Sequence, residues 1–69
     1  MYIGDVMKNN IDYWIDKRGY KKKWIAEQLG VTNTVLSRWI NNHSNPSLEN
    51  ALKLARLLDC KVDDLFFYK

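Results

Sequence analysis

The chain has 69 residues, 46% of them apolar, with three Trp, four Tyr and two Phe but only three Gly and one Pro. That composition excludes disordered and collagen-like classes and predicts a single domain over residues 1–69 with a dense core. The lone Cys60 excludes an internal disulfide and a cysteine-cluster zinc site. No apolar run approaches the roughly 18 residues of a membrane span, and the start MYIGDVMKNN lacks the apolar stretch of a signal peptide, so a soluble cytoplasmic protein with no membrane partner is expected. The net charge is +3, and its excess is local: Lys17, Arg18, Lys21, Lys22, Lys23 and Arg38 oppose only Glu27 within residues 17–46. Such a segment is a footprint for a polyanion or, as for most charge runs, a solvated face.

Apolar residues recur at spacings of three and four, with Gly19, Gly30 and Pro46 as punctuation and no alternating run. Helix one is expected to carry Ile3, Met7, Ile11, Trp14 and Ile15 on one stripe, with Asp5 as its cap and Gly19 as its stop. Helix two runs from about Lys22 to Leu29, buries Ile25, Ala26 and Leu29, and ends at Gly30 in the left-handed conformation. Helix three starts after the cap Thr32 and ends near Asn41 and Asn42, which tolerate positive φ. Ser47 caps helix four, whose expected core face is Leu48, Ala51, Leu52, Ala55 and Leu58, and a short turn follows from Val62 to Phe66, with Asp63 and Asp64 capping or solvating it. These elements make an all-α fold, a compact five-helix bundle.

Helices two and three, joined by Gly30, Val31 and Thr32, have helix-turn-helix spacing, and the small Ala26 lets the two helices approach closely. At about 100° per residue, Asn33, Thr34, Ser37, Arg38 and Asn41 fall on one arc of helix three, while Val35, Leu36, Trp39 and Ile40 fall on another. The polar arc holds no carboxylate. Asn, Thr, Ser and Arg are side chains that read base edges in a major groove, so Asn33, Thr34, Ser37 and Arg38 are the candidate base readers.

The stretch KKKWIAEQLGVTNTVLSRWINNHSNPSLENALKLARLLDCKVDDLF resembles the helix-turn-helix region of phage repressors and Cro proteins, the xenobiotic-response-element family. The resemblance covers about residues 11–66 and rests on Ile25-Ala26, Leu29-Gly30-Val31, Ser37, Asn45-Pro46-Ser47-Leu48, Leu52, Ala55, Leu58 and Leu65. It implies the lambda-repressor-like five-helix fold, with helix three in the major groove of operator DNA, and a homodimer. The sequence departs from the family at Lys21 and Lys22, where Ser or Thr and Gln are favoured, at Asn42, where Gly is common, and at Ile15 and Ile40, which are often charged.

Lys21, Lys22 and Lys23 oppose the dipole at the start of helix two, which phosphate contact would explain, and Asn41, His43 and Asn45 are placed with them as backbone contacts. Plain solvation is the alternative for the lysines and for His43. Trp14 and Trp24 are read as packing residues, and Cys60 as a small buried hydrophobe rather than a nucleophile. Leu54, Leu57, Phe66, Phe67 and Tyr68 exceed what so small a core can bury and are assigned to a dimer interface, unless the aromatics fold back onto helix one. The expected function is a repressor of phage or mobile-element type that binds an inverted-repeat duplex operator. The alternative is a helical protein-interaction module of antitoxin or adaptor kind. An enzyme is not expected, and nothing calls for a cofactor, metal or small-molecule ligand.

Overall fold

The computed structural model describes residues 7–68. They form strand β1 (Met7–Asn9), helices α1 (Ile11–Arg18), α2 (Lys22–Leu29), α3 (Asn33–Ile40), α4 (Leu48–Leu58) and α5 (Val62–Leu65), and strand β2 (Phe66–Tyr68). No helix among the described residues is long and apolar enough to cross a membrane.

Local chemistry ends and starts each helix. Gly19 and Gly30 stop α1 and α2 at φ 76° and 72°, a left-handed conformation open to glycine at no steric cost. The space around a Cβ at Gly30 is empty, so backbone conformation rather than crowding calls for glycine there. Ser47 Oγ accepts from Asn50 N–H at 3.2 Å to cap α4, and α4 closes at Asp59, itself left-handed at φ 52°. Asp64 Oδ2 accepts from Lys61 N–H at 2.9 Å across the first turn of α5.

Every helix sends at least one large side chain to the centre: Ile11, Ile25, Leu36, Leu54, Leu58 and Leu65 are all less than 2% exposed. Removing each of these from water is worth about 1.5–3 kcal/mol, which is how short helices with little stability of their own hold together.

Three expectations need correction. Helix one begins at Ile11, and Met7 belongs to a strand; Ile3 and Asp5 lie outside the described residues. Asparagine competes with helix formation by bonding its own backbone neighbourhood, and Asn9 Oδ1 does so by accepting from Ile11 N–H at 3.1 Å. The residues before it instead pair antiparallel with β2, Met7 opposite Tyr68, Lys8 opposite Phe67 and Asn9 opposite Phe66. Three residues are too few to show an alternating pattern.

The inward face of α4 is also turned relative to expectation. Ala51, Leu54, Ala55 and Leu58 are buried, whereas Leu48 and Leu52 are 74% and 50% exposed. Leu54 is therefore core and not an interface residue. Leu57 and Phe66 are half-buried against that core, leaving Phe67 and Tyr68 as the exposed members of the proposed dimer surface. The C-terminal aromatics fold back, β2 pairing with Met7–Asn9 just before α1 while Phe66 packs against the core.

Candidate nucleic-acid interface

The turn between α2 and α3 is built from backbone bonds that two residues make possible. Val31 N–H donates to the Ala26 carbonyl at 3.0 Å and Gly30 N–H to that of Glu27 at 3.2 Å, closing the end of α2. Thr32 is extended, and its Oγ1 accepts from Val35 N–H at 3.1 Å, starting α3 at once. Ala26 is buried beneath this turn. These bonds join α2 directly to α3, with Leu36 and Trp39 inward and Val35 and Ile40 half-buried.

The opposite side of α3 is free. Asn33, Thr34, Ser37 and Arg38 are all exposed and line one shallow groove together with Asn41 and His43. Within it, Asn41 Nδ2 lies 3.4 Å from Ser37 Oγ. The Arg38 guanidinium turns back toward the loop, 3.5 Å from the His43 carbonyl, a contact at the outer limit of hydrogen bonding and given up at little cost. The groove has donors, acceptors and one fixed positive charge but no carboxylate, a surface matched to an anionic, hydrogen-bonding partner.

The remaining candidates lie elsewhere. Lys21, Lys22 and Lys23 are exposed at the start of α2, and Asn45 is exposed in the loop after α3; none lines the groove. Lys21 occupies the cap position and makes no cap bond, because an ammonium has nothing to accept with. Lys22 Nζ pairs with Asp12 Oδ1 at 3.1 Å.

The basic segment is less uniform than its charge count implies. Arg18 donates from Nε to the Leu58 carbonyl at 2.8 Å and from Nη2 to that of Asp59 at 2.9 Å, capping α4. Its guanidinium also lies 5.0 Å from the Trp14 ring, and Lys17 Nζ lies 4.8 Å from the same ring. Arg18 thus serves the junction of α1 with the end of α4, Lys17 lies over an aromatic ring of its own helix, and nothing in the sequence separated these two cations from the other four. Trp14 is a packing residue as expected, its indole N–H bonding the Asp64 carbonyl at 3.2 Å, while Trp24 is partly exposed against Tyr20. Cys60 is half-buried, and burial, with Asp64 and Asp59 nearby, pushes its thiol above the ordinary range despite Arg18.

One side chain with no helical signal reaches the end of α3. Asn9 donates from Nδ2 to the Trp39 carbonyl at 2.8 Å and to Asn42 Oδ1 at 3.0 Å, across more than thirty positions of chain in the second case. Neither partner is recognisable from spacing.

This geometry has relatives. An uncharacterized HTH-type transcriptional regulator of Methanocaldococcus jannaschii is 29% identical over 63 residues, spanning 91% of this chain and 96% of that protein. The crystal structure of a candidate DNA-binding protein from Bacteroides fragilis matches with a TM-score of 0.83 at 34% identity, over 90% of this chain and 100% of that one. Residues 11–65 match the helix-turn-helix family model. That span begins at the first residue of α1 and finishes at the last of α5, so it takes in all five described helices and neither strand, and the chain belongs to the Cro/C1-type helix-turn-helix family.

Proposed function

We propose that this protein is a transcriptional regulator that binds duplex DNA sequence-specifically, lays α3 in the major groove and represses by occupying a promoter. Family membership and relatives described as regulatory or DNA-binding support the general reading. The observation that carries the specific one is the carboxylate-free groove of Asn33, Thr34, Ser37, Arg38, Asn41 and His43 on the outward side of α3. A helix that docked into a protein would expose apolar anchors instead, and the apolar side chains of α3 are buried or half-buried.

In this reading Asn33 makes a bidentate pair with adenine, Thr34 offers its methyl to thymine, Ser37 lets the helix sit close, and Arg38 bonds guanine O6 and N7 together. Lys21, Lys22, Lys23, Asn41, His43 and Asn45 grip phosphates, which fix register without reading sequence. A homodimer then requires an inverted repeat with half-site centres about 34 Å apart.

Selection of bound sequences from a random duplex pool tests the proposal, and failure to enrich any sequence would reject it. On the selected operator, Arg38→Ala should cost about 1–3 kcal/mol and relax preference at one base pair. A loss equal across all sequences would assign Arg38 to phosphate.

A further inference from the structure

We propose that Asn9 is a positioning residue for DNA reading, tying the far end of α3 to the terminal ribbon; this rests on the role given to α3 above. Its side chain is used on both sides. Oδ1 accepts from Ile11 N–H at the start of α1, while Nδ2 serves the Trp39 carbonyl and the Asn42 side chain. The residue itself lies in β1 opposite Phe66 of β2. One amide therefore joins the ribbon, the start of α1 and the end of α3.

The last carbonyls of a helix have no partner within it. In α3 the Ser37 carbonyl takes Asn41 N–H at 3.0 Å, that of Arg38 takes His43 N–H at 2.8 Å, and that of Trp39 takes Asn42 N–H at 3.1 Å. All three donors come from the turn that continues α3, so they move with it. The Asn9 bond to Trp39 comes from a separate element and fixes that end against the rest of the chain. Leu36 and Trp39 also hold α3 down, but apolar burial is non-directional and specifies rotation of a helix weakly. Asn42, left-handed at φ 61°, lies in the turn that leads to His43.

Bidentate bonds to bases lose strength steeply with misalignment, whereas attraction to phosphate falls slowly with distance. Loss of the Asn9 link is therefore a loss of selectivity more than of grip. Asn9→Asp separates the two sides of the amide. The new carboxylate still accepts from Ile11 N–H, at a helix start that favours negative charge, but offers the Trp39 carbonyl only repulsion. Asn42→Gly keeps the left-handed backbone and removes one acceptor of the Nδ2 group.

The test compares Kd for the selected operator and for random duplex at one salt concentration, together with amide hydrogen exchange. Asn9→Asp should raise the operator Kd by roughly tenfold, about the worth of one or two lost hydrogen bonds, and the random-duplex Kd by no more than about twofold. The amides of Asn41, Asn42 and His43 should exchange faster while those inside α4 stay protected. Asn42→Gly should shift both readouts the same way by a smaller factor, and it decides the matter if Asn9→Asp fails to fold. Equal weakening on both DNAs, unchanged selectivity, or loosening spread through α1 and α4 would overturn the assignment. A wild-type protein with no preference among duplexes would defeat the regulator reading, while a selective wild type with equally selective variants would defeat the role of Asn9 alone.

Discussion

Lys22 shares its charge with Asp12 at 3.1 Å, both side chains more than half exposed, whereas Lys21 and Lys23 reach no carboxylate among the described residues. A surface pair of this kind adds little stability, yet it changes what the lysine can offer, since a phosphate must compete with Asp12 for it. Each phosphate contact adds about one unit to the slope of log K against log salt. Lys23→Ala should therefore flatten that slope by about one unit and weaken specific and non-specific binding alike, while Lys22→Ala should flatten it by less. An unchanged slope for Lys23→Ala, measured by salt titration of DNA affinity, would leave that lysine as solvated charge. Three consecutive lysines look alike in a sequence because the partner of Lys22, ten positions upstream, becomes its neighbour only in the folded chain.

Arg18 shows the same effect at the level of elements. Its two bonds to the carbonyls of Leu58 and Asp59 satisfy the end of α4 from the last turn of α1, and a cation there also complements the helix dipole. Arg18→Ala should lower unfolding stability by about 1–3 kcal/mol, read from denaturant melts, with the salt slope of DNA binding unchanged. A flattened slope with unchanged stability would return Arg18 to the polyanion footprint. The boundaries of α2, α3 and α4 were legible because Gly30, Thr32 and Ser47 act on backbone groups within three or four positions. The polar face of α3 was legible because helical geometry alone separates Asn33 and Arg38 from Leu36 and Trp39. The inward face of α4 was not, because leucine or alanine fills seven of its eleven positions and more than one stripe fits. Packing chose the one through Leu54, and Leu48 and Leu52 went outside. The ribbon was likewise illegible, since its pairing is non-local and each strand is three residues long.

For the whole molecule, the exposed apolar residues bear on assembly. Phe67 and Tyr68 on β2, at 36% and 71% exposure, remain available to a second copy after Leu54 is withdrawn to the core. If the dimer forms through β2, Phe67→Asp should shift sedimentation equilibrium toward monomer without changing the helical circular dichroism. It should also weaken binding to a two-half-site operator far more than to a single half-site. A wild type that stays monomeric at high micromolar concentration, free and on DNA, would reject the homodimer and with it the inverted repeat.

The ribbon has a consequence for the order in which the fold forms and comes apart. Met7 and Tyr68 pair across almost the whole described chain, while the turn joining α2 and α3 closes over a few positions. Closing a long loop costs entropy that grows as about (3/2)RT ln n, and the ladder that closes it here is three residue pairs long. The ribbon should zip last, after the helices have condensed, and should open through local fluctuations well below the global unfolding free energy. Its amides, Lys8 and Phe67 among them, should exchange in mild denaturant before those of Leu54 and Leu58, whose protection should follow global unfolding. Because Asn9 belongs to this early-opening unit, warming should relax the far end of α3 while the core is still intact, so that sequence preference would fade with temperature before the protein melts.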